Sequence, residues 1–163
     1  MGCEATELRF PSDDLGHGFC LRPATSSQWK VLAEIAVAFP ALNVTIEACW
    51  FSGFHLVAFA EQLKRCQDTL ADAAEVATLD ESVVLTITPA PNRAGWFSLA
   101  LKTRRDLSED VERDAPAATL LIDGIAFDQS YLAVQRSAIL EFLRLNAVDT
   151  RDPWSIPDGR SEL

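Results

Sequence analysis

The chain has 163 residues, 48% apolar and 23% charged, which is one globular domain by length and excludes collagen-like or wholly disordered structure. Its formal net charge is −10, from 24 acidic and 14 basic residues. That balance argues against nucleic acid as a partner, which a basic surface would hold by displacing counterions, and against binding to an anionic membrane.

Residues 1–28 hold two short apolar pieces, Leu8–Phe10 and Phe19–Leu21, among Pro, Gly, Ser and Asp. They predict short strands joined by loops. Trp29 to Phe39 alternates, with Trp29, Val31, Ala33, Ile35, Val37 and Phe39 on one face, and predicts a long strand. Pro40 and Asn43 mark a turn, and Val44, Ile46, Ala48 and Trp50 continue the alternation as its hairpin partner.

Ser52 stands where a helix N-cap is needed. Leu56, Phe59, Ala60, Leu63, Cys66 and Leu70 follow at three- and four-residue spacing, an amphipathic stripe. Glu61 and Arg65 are placed for an i,i+4 ion pair. Short strands are expected at Val76–Leu79 and Val83–Thr88, then a turn over Pro89–Gly95 and a strand from Phe97 to Lys102. Arg104–Pro116 reads as a charged connection. Thr119–Phe127 reads as a last strand with a bulge at Gly124.

Asp128 or Ser130 caps a second amphipathic helix with the stripe Tyr131, Leu132, Val134, Ala138, Ile139, Phe142, Leu143 and Leu145. The domain is expected to span 1–148, with 149–163 as a loosely ordered tail that Trp154 and Ile156 could pin to the body. Strands, helix, strands, helix is an α+β order. The expected fold is one antiparallel, meander-like sheet of about 6–8 strands, with both helices on one face.

The halves also align with each other. Ile46-Glu47-Ala48 and Phe51 precede Ile122-Asp123-Gly124 and Phe127 by 76 residues, and the same offset links Leu56 to Leu132 and Leu63 to Ile139. Trp29-x-x-Leu32-Ala33 matches Trp96-x-x-Leu99-Ala100 at an offset of 67, which implies nine extra residues in the 104–116 connection. Two explanations stay open: a duplicated unit with an inserted surface loop, or the generic alignment of amphipathic elements.

The inventory for chemistry is thin. No nucleophile elbow, P-loop, zinc-protease helix or dinucleotide fingerprint is present. His17 sits in a Gly-His-Gly turn and His55 in a first helical turn, so no catalytic residue is assigned. Cys3, Cys20, Cys49 and Cys66 form no closely spaced pair, so neither a zinc site nor any cofactor is expected. Cys49 and Cys66 read as small buried hydrophobes. Trp29, Trp50 and Trp96 read as core residues.

Met1-Gly2-Cys3-Glu4-Ala5-Thr6 fits the myristoylation pattern, but no basic cluster follows to give a second anchor. Arginine outnumbers lysine eleven to three, the habit of a GC-rich bacterial genome, where a lipid anchor at Gly2 is not expected. A cytoplasmic protein is the expectation. The carboxylates at Asp106, Glu109, Asp110, Glu112 and Asp114 form a solvated acidic surface and a candidate partner-binding site.

From Trp29 to Leu145 the layout resembles the WapI-type immunity proteins of bacteria and related uncharacterised small domains. The features that carry this are Trp29-Lys-Val-Leu, Phe59-Ala-Glu-Gln-Leu-Lys-Arg, Val83-Val-Leu-Thr-Ile-Thr and Phe127-Asp-Gln-Ser-Tyr-Leu132. The resemblance implies a non-enzymatic inhibitor that binds a cognate toxin. A basic toxin would be steered to the 106–114 carboxylates. A small-ligand or housekeeping binding module, with a pocket between sheet and helices, is the alternative.

Overall fold

A computed structural model describes residues 8–11, 18–39, 42–106 and 117–152. The chain runs β1 (Leu8–Pro11), β2 (Gly18–Ser26), β3 (Lys30–Phe39), β4 (Leu42–Ser52), α1 (Gly53–Thr69), β5 (Ala74–Ala77), β6 (Val83–Pro89), β7 (Trp96–Asp106), β8 (Ala117–Asp128) and α2 (Ser130–Leu145). The α+β class and the antiparallel pairing are as expected. The single sheet is not: β1-β2-β3-β4, here sheet A, and β5-β6-β7-β8, sheet B, form two separate four-stranded meanders. The helix between the halves interrupts strand pairing, and among the described residues one backbone bond, Leu79 N–H to the Trp50 carbonyl at 2.8 Å, ties the end of β4 to the turn that follows β5.

The two sheets turn their apolar faces to one shared core. Val31, Ala33, Ile35 and Val37 of β3 and Phe97, Leu99 and Leu101 of β7 join Leu56, Phe59, Leu63, Leu132 and Ile139 of the helices in a continuous buried cluster. The helices pack on each other, and each also lies against the first strand of the opposite half. Gln62 of α1 accepts the Glu75 N–H of β5 at 2.7 Å, and Gln135 of α2 donates to the Arg9 carbonyl of β1. Glu61 pairs with Arg136 of α2 at 3.3 Å, not with Arg65 on its own helix. The helix–helix contact brings the guanidinium of α2 to it.

Helix starts follow the side-chain chemistry. Ser52 Oγ accepts the His55 N–H at 3.0 Å, the bond that an N-cap supplies. Asp128 Oδ1 accepts the Ser130 N–H at 2.8 Å from one position outside the Gln129 N-cap. Gly53 is tight because the Asp149 carbonyl would lie 2.4 Å from any Cβ there. Val148 is buried and the Asp149 N–H donates to the Gln28 carbonyl at 2.6 Å, which fixes the chain just beyond α2. Trp154 and Ile156 lie outside the described residues.

Both halves bulge at the same place. The register of β3 with β4 slips between Ala33 and Ile35, and that of β7 with β8 between Leu99 and Leu101. The extra residues include Ala48 and Gly124, both at positive φ, 57° and 85°. The Gly124 bulge was legible; the Ala48 bulge was not, because alanine carries no turn signal. It reverses the parity of β4, so that Ile46, Cys49 and Phe51 point inward and Trp50 points out. The register also corrects the alignment of the halves. Val31 opposite Phe51 corresponds to Phe97 opposite Phe127, an offset of 66 for β3 and β7. The sequence alignment at 67 matched outward Leu32 to buried Leu99, a one-residue slip that exchanges faces. The insertion between β7 and β8 is therefore ten residues, not nine.

Candidate functional site

The outer faces of both sheets are uncovered by any described element. On sheet A this face carries small side chains along β2 and β3, Cys20, Ala36 and Ala38 among them, beside the Arg22–Glu34 ion pair at 3.0 Å. Aromatic groups gather at one end. Trp50 stands opposite Leu32 in the β3–β4 register, and Trp29 ends the turn that leads into β3. Both tryptophans are well exposed, at 41% for Trp29 and 38% for Trp50. The expectation that they belong to the core is thus corrected. Trp29 precedes the strand that it was assigned to, and Trp50 was turned outward by the bulge.

Lys30 lies between the rings, with Nζ 4.5 Å from the centroid of Trp29 and 6.0 Å from that of Trp50. Among the described residues it has no carboxylate partner. Exposed Leu79 follows Trp50 across the seam between the sheets. The cluster is held from behind. The Gly53 N–H bonds the Trp29 carbonyl at 2.9 Å, and Ser27 N–H bonds the Lys30 carbonyl at 2.8 Å. Backbone bonds on both sides of Trp29 and in register at Trp50 give two aromatic side chains a fixed base with free faces.

The second half presents a different arrangement. Trp96 occupies the register position of Lys30, and the Arg93 guanidinium covers its ring at 3.3 Å. Farther along β7, exposed Lys102 and Arg104 alternate with buried Leu101 and Thr103.

The carboxylates proposed from the sequence form no described cluster. Asp106 ends β7 in register with Ala117 of β8. Glu109, Asp110, Glu112 and Asp114 lie outside the described residues. Between sheets and helices the described residues line two voids. The void among Leu8, Leu21, Val31, Phe51, Leu56 and Ile139 measures about 10 Å³, room for about one water. An open groove of about 560 Å³ runs between Val44–Glu47 of β4 and Thr103, Thr119 and Leu120 of the other sheet. Its lining holds one carboxylate and three threonines, too few polar groups aimed at one point to orient a substrate.

The titratable groups that depart from ordinary behaviour serve structure. Burial pushes the Cys66 thiol up, and its Sγ donates to the Asp72 carbonyl at 3.2 Å. The Thr78 hydroxyl, at 2.6 Å, holds the Asp80 carboxyl below its usual range, and Ser82 adds two bonds. Arg151 brings Asp149 down to about 2. Among the described residues no three His, Cys, Asp or Glu side chains converge on a metal position. No described helix is long and apolar enough to cross a membrane.

No family model matches the chain, and no curated protein matches it. Two solved structures are similar to it over most of its length. One is a guide-RNA-binding protein complex bound to a guide RNA, with 14% identity over 91% of this chain and 94% of that one, at a TM-score of 0.48. The other is the MRP1/MRP2 structure of Trypanosoma brucei, with 13% identity over 88% and 85% and a TM-score of 0.46. Neither is described as an immunity protein, and the first is described as binding a guide RNA, so the immunity reading made from the sequence is corrected. The toxin-neutralising role is set aside, together with the exclusion of nucleic acid as a partner. At this level of similarity the likeness itself assigns no ligand to this chain, and the case for one rests on its side chains.

The charge argument behind that exclusion changes as well. The described residues hold fourteen acidic and twelve basic side chains, so most of the −10 lies outside them. Net charge averaged over the whole chain misrepresents the sheet faces, where steering is a local matter.

Proposed function

We propose that this protein is a non-enzymatic binding module that holds single-stranded nucleic acid against the outer face of sheet A. One observation carries the proposal: two exposed tryptophans flank an unpaired lysine at the end of an uncovered sheet. Bases stack on aromatic rings whatever their sequence, at roughly 1–3 kcal/mol per base. The lysine's hold on the rings is worth only about 0.5–1 kcal/mol at an exposed site. That is small enough for the ammonium to leave a ring and meet a phosphate when a base takes its place.

The near-neutral body sets the character of the binding. Few phosphates are neutralised, so affinity is modest and stacking carries much of it. The reducing cytoplasm, where a buried thiol such as Cys66 is stable, is the proposed compartment.

The test is anisotropy of a labelled oligothymidylate titrated with protein at low salt. Binding should be accompanied by quenching of tryptophan fluorescence. Trp29→Ala with Trp50→Ala should weaken it at least tenfold, which follows from the loss of one to two stacked bases. Absence of binding by the unaltered protein, or full binding by the double variant, would overturn the proposal.

A further inference from the structure

We infer that a strand stacked on Trp29 and Trp50 continues across the seam onto sheet B, where Lys102 and Arg104 hold its phosphates. This rests on the nucleic-acid reading above and adds a second point of contact.

The seam gives the path. The Leu79 N–H bonds the Trp50 carbonyl at 2.8 Å, Thr78 N–H bonds the Val83 carbonyl at 2.9 Å, and Arg104 N–H bonds the Ser82 carbonyl at 2.8 Å. Backbone contacts therefore lead without a break from the aromatic pair to Arg104. Three strand spacings separate them, roughly 15 Å, a span that a few nucleotides of an extended strand cover.

The chemistry at the far end suits phosphate. Lys102 and Arg104 alternate with buried Leu101 and Thr103, so both side chains leave the outer face of β7. Two positions along a strand are about 7 Å apart, a spacing that lets each cation meet a different phosphate. Their cross-strand neighbours are Val84 and Leu121 for Lys102 and Thr119 for Arg104, with no carboxylate directly opposite. Neither makes an ion pair among the described residues. Of the acidic side chains in this half, Asp123 accepts the Gly124 N–H at 2.7 Å and Asp80 accepts from Thr78 and Ser82. Lysine offers a point charge and arginine a two-pronged donor, the two usual ways of holding a phosphodiester.

Salt dependence tests this. Labelled oligothymidylates of about 4 and about 15 nucleotides are titrated over a salt series with the parent protein, K102Q/R104Q, W29A/W50A and K64Q/R65Q, the last removing the same charge from the exposed side of α1. For the long strand, K102Q/R104Q should reduce the slope of log affinity against log salt by about 1.4, since each phosphate contact to a single strand contributes about 0.7. The short strand should be indifferent to K102Q/R104Q. W29A/W50A should weaken both lengths, and K64Q/R65Q should leave the slope alone. An unchanged slope in K102Q/R104Q, or an equal fall in K64Q/R65Q, overturns this inference while the aromatic site stands. Full binding by W29A/W50A overturns the aromatic site itself.

Discussion

Ala48 and Gly124 sit in matching bulges with left-handed backbone, and only one of them is the residue that this conformation favours. An L-residue in that region costs about 1–2 kcal/mol. A Cβ at Gly124 would meet nothing within 4 Å, so its substitution reports backbone strain alone. Gly124→Ala should lower stability by about 1 kcal/mol. Ala48→Gly should leave stability level or raise it by up to about 1 kcal/mol, the released strain being offset by about 0.4–1 kcal/mol of chain entropy. Urea denaturation with an unchanged slope would show both. The pair also explains why the aromatic site was hidden in the sequence. Alternation through Ala48 places Trp50 on the core face, and nothing in alanine's chemistry announces the extra residue.

Among the elements, helix caps and tight turns are where local chemistry is most legible. Ser52 was recognisable as a cap because a hydroxyl before an amphipathic stripe satisfies an N–H that the helix leaves open. Ser52→Ala should cost about 1 kcal/mol, read by thermal or chemical unfolding. The turn after β5 was legible as polar, but the bonding that shapes it was not. Asp80 accepts from Thr78 and Ser82, which holds its carboxyl below the usual 3.8. A depressed carboxyl stabilises the fold above its unfolded value, and that contribution is lost as pH falls through the folded value. Asp80→Asn should therefore be less stable than the parent near pH 7, and the gap should close in acid, once pH has fallen below 3.8 and through the folded value. Denaturation midpoints of both proteins near neutrality and in acid decide it; a gap that persists in acid would mean that the carboxylate's charge is irrelevant to the turn.

Across the whole molecule, hydrophobic periodicity disclosed the strands, the helices and the order α+β, because burial imposes it residue by residue. It could not disclose that the eight described strands divide into two sheets, since both arrangements bury the same alternating faces. The register offset of the halves was equally out of reach: an alignment by residue likeness paired Leu32 with Leu99, and only hydrogen bonding shows that they face opposite ways. One core serves both sheets, with Leu63 and Leu132 fully enclosed in it. The protein should therefore unfold as a unit. Tryptophan fluorescence, which senses sheet A strongly, and far-UV circular dichroism should give coincident urea transitions. Leu63→Ala should move both together, by about 2–5 kcal/mol.

The reciprocal seating of each helix against the first strand of the opposite half has a consequence for assembly. One β-β-β-β-α unit by itself leaves a helix flank and an edge strand unsatisfied, and a second unit supplies what the first lacks. The only covalent tie needed between them is the exposed link Leu70–Ala73, which carries no buried side chain. The halves should thus behave as lock and counter-lock: a chain severed in that link would hold together as a non-covalent pair, and the same architecture could be met by two identical short chains about a two-fold axis.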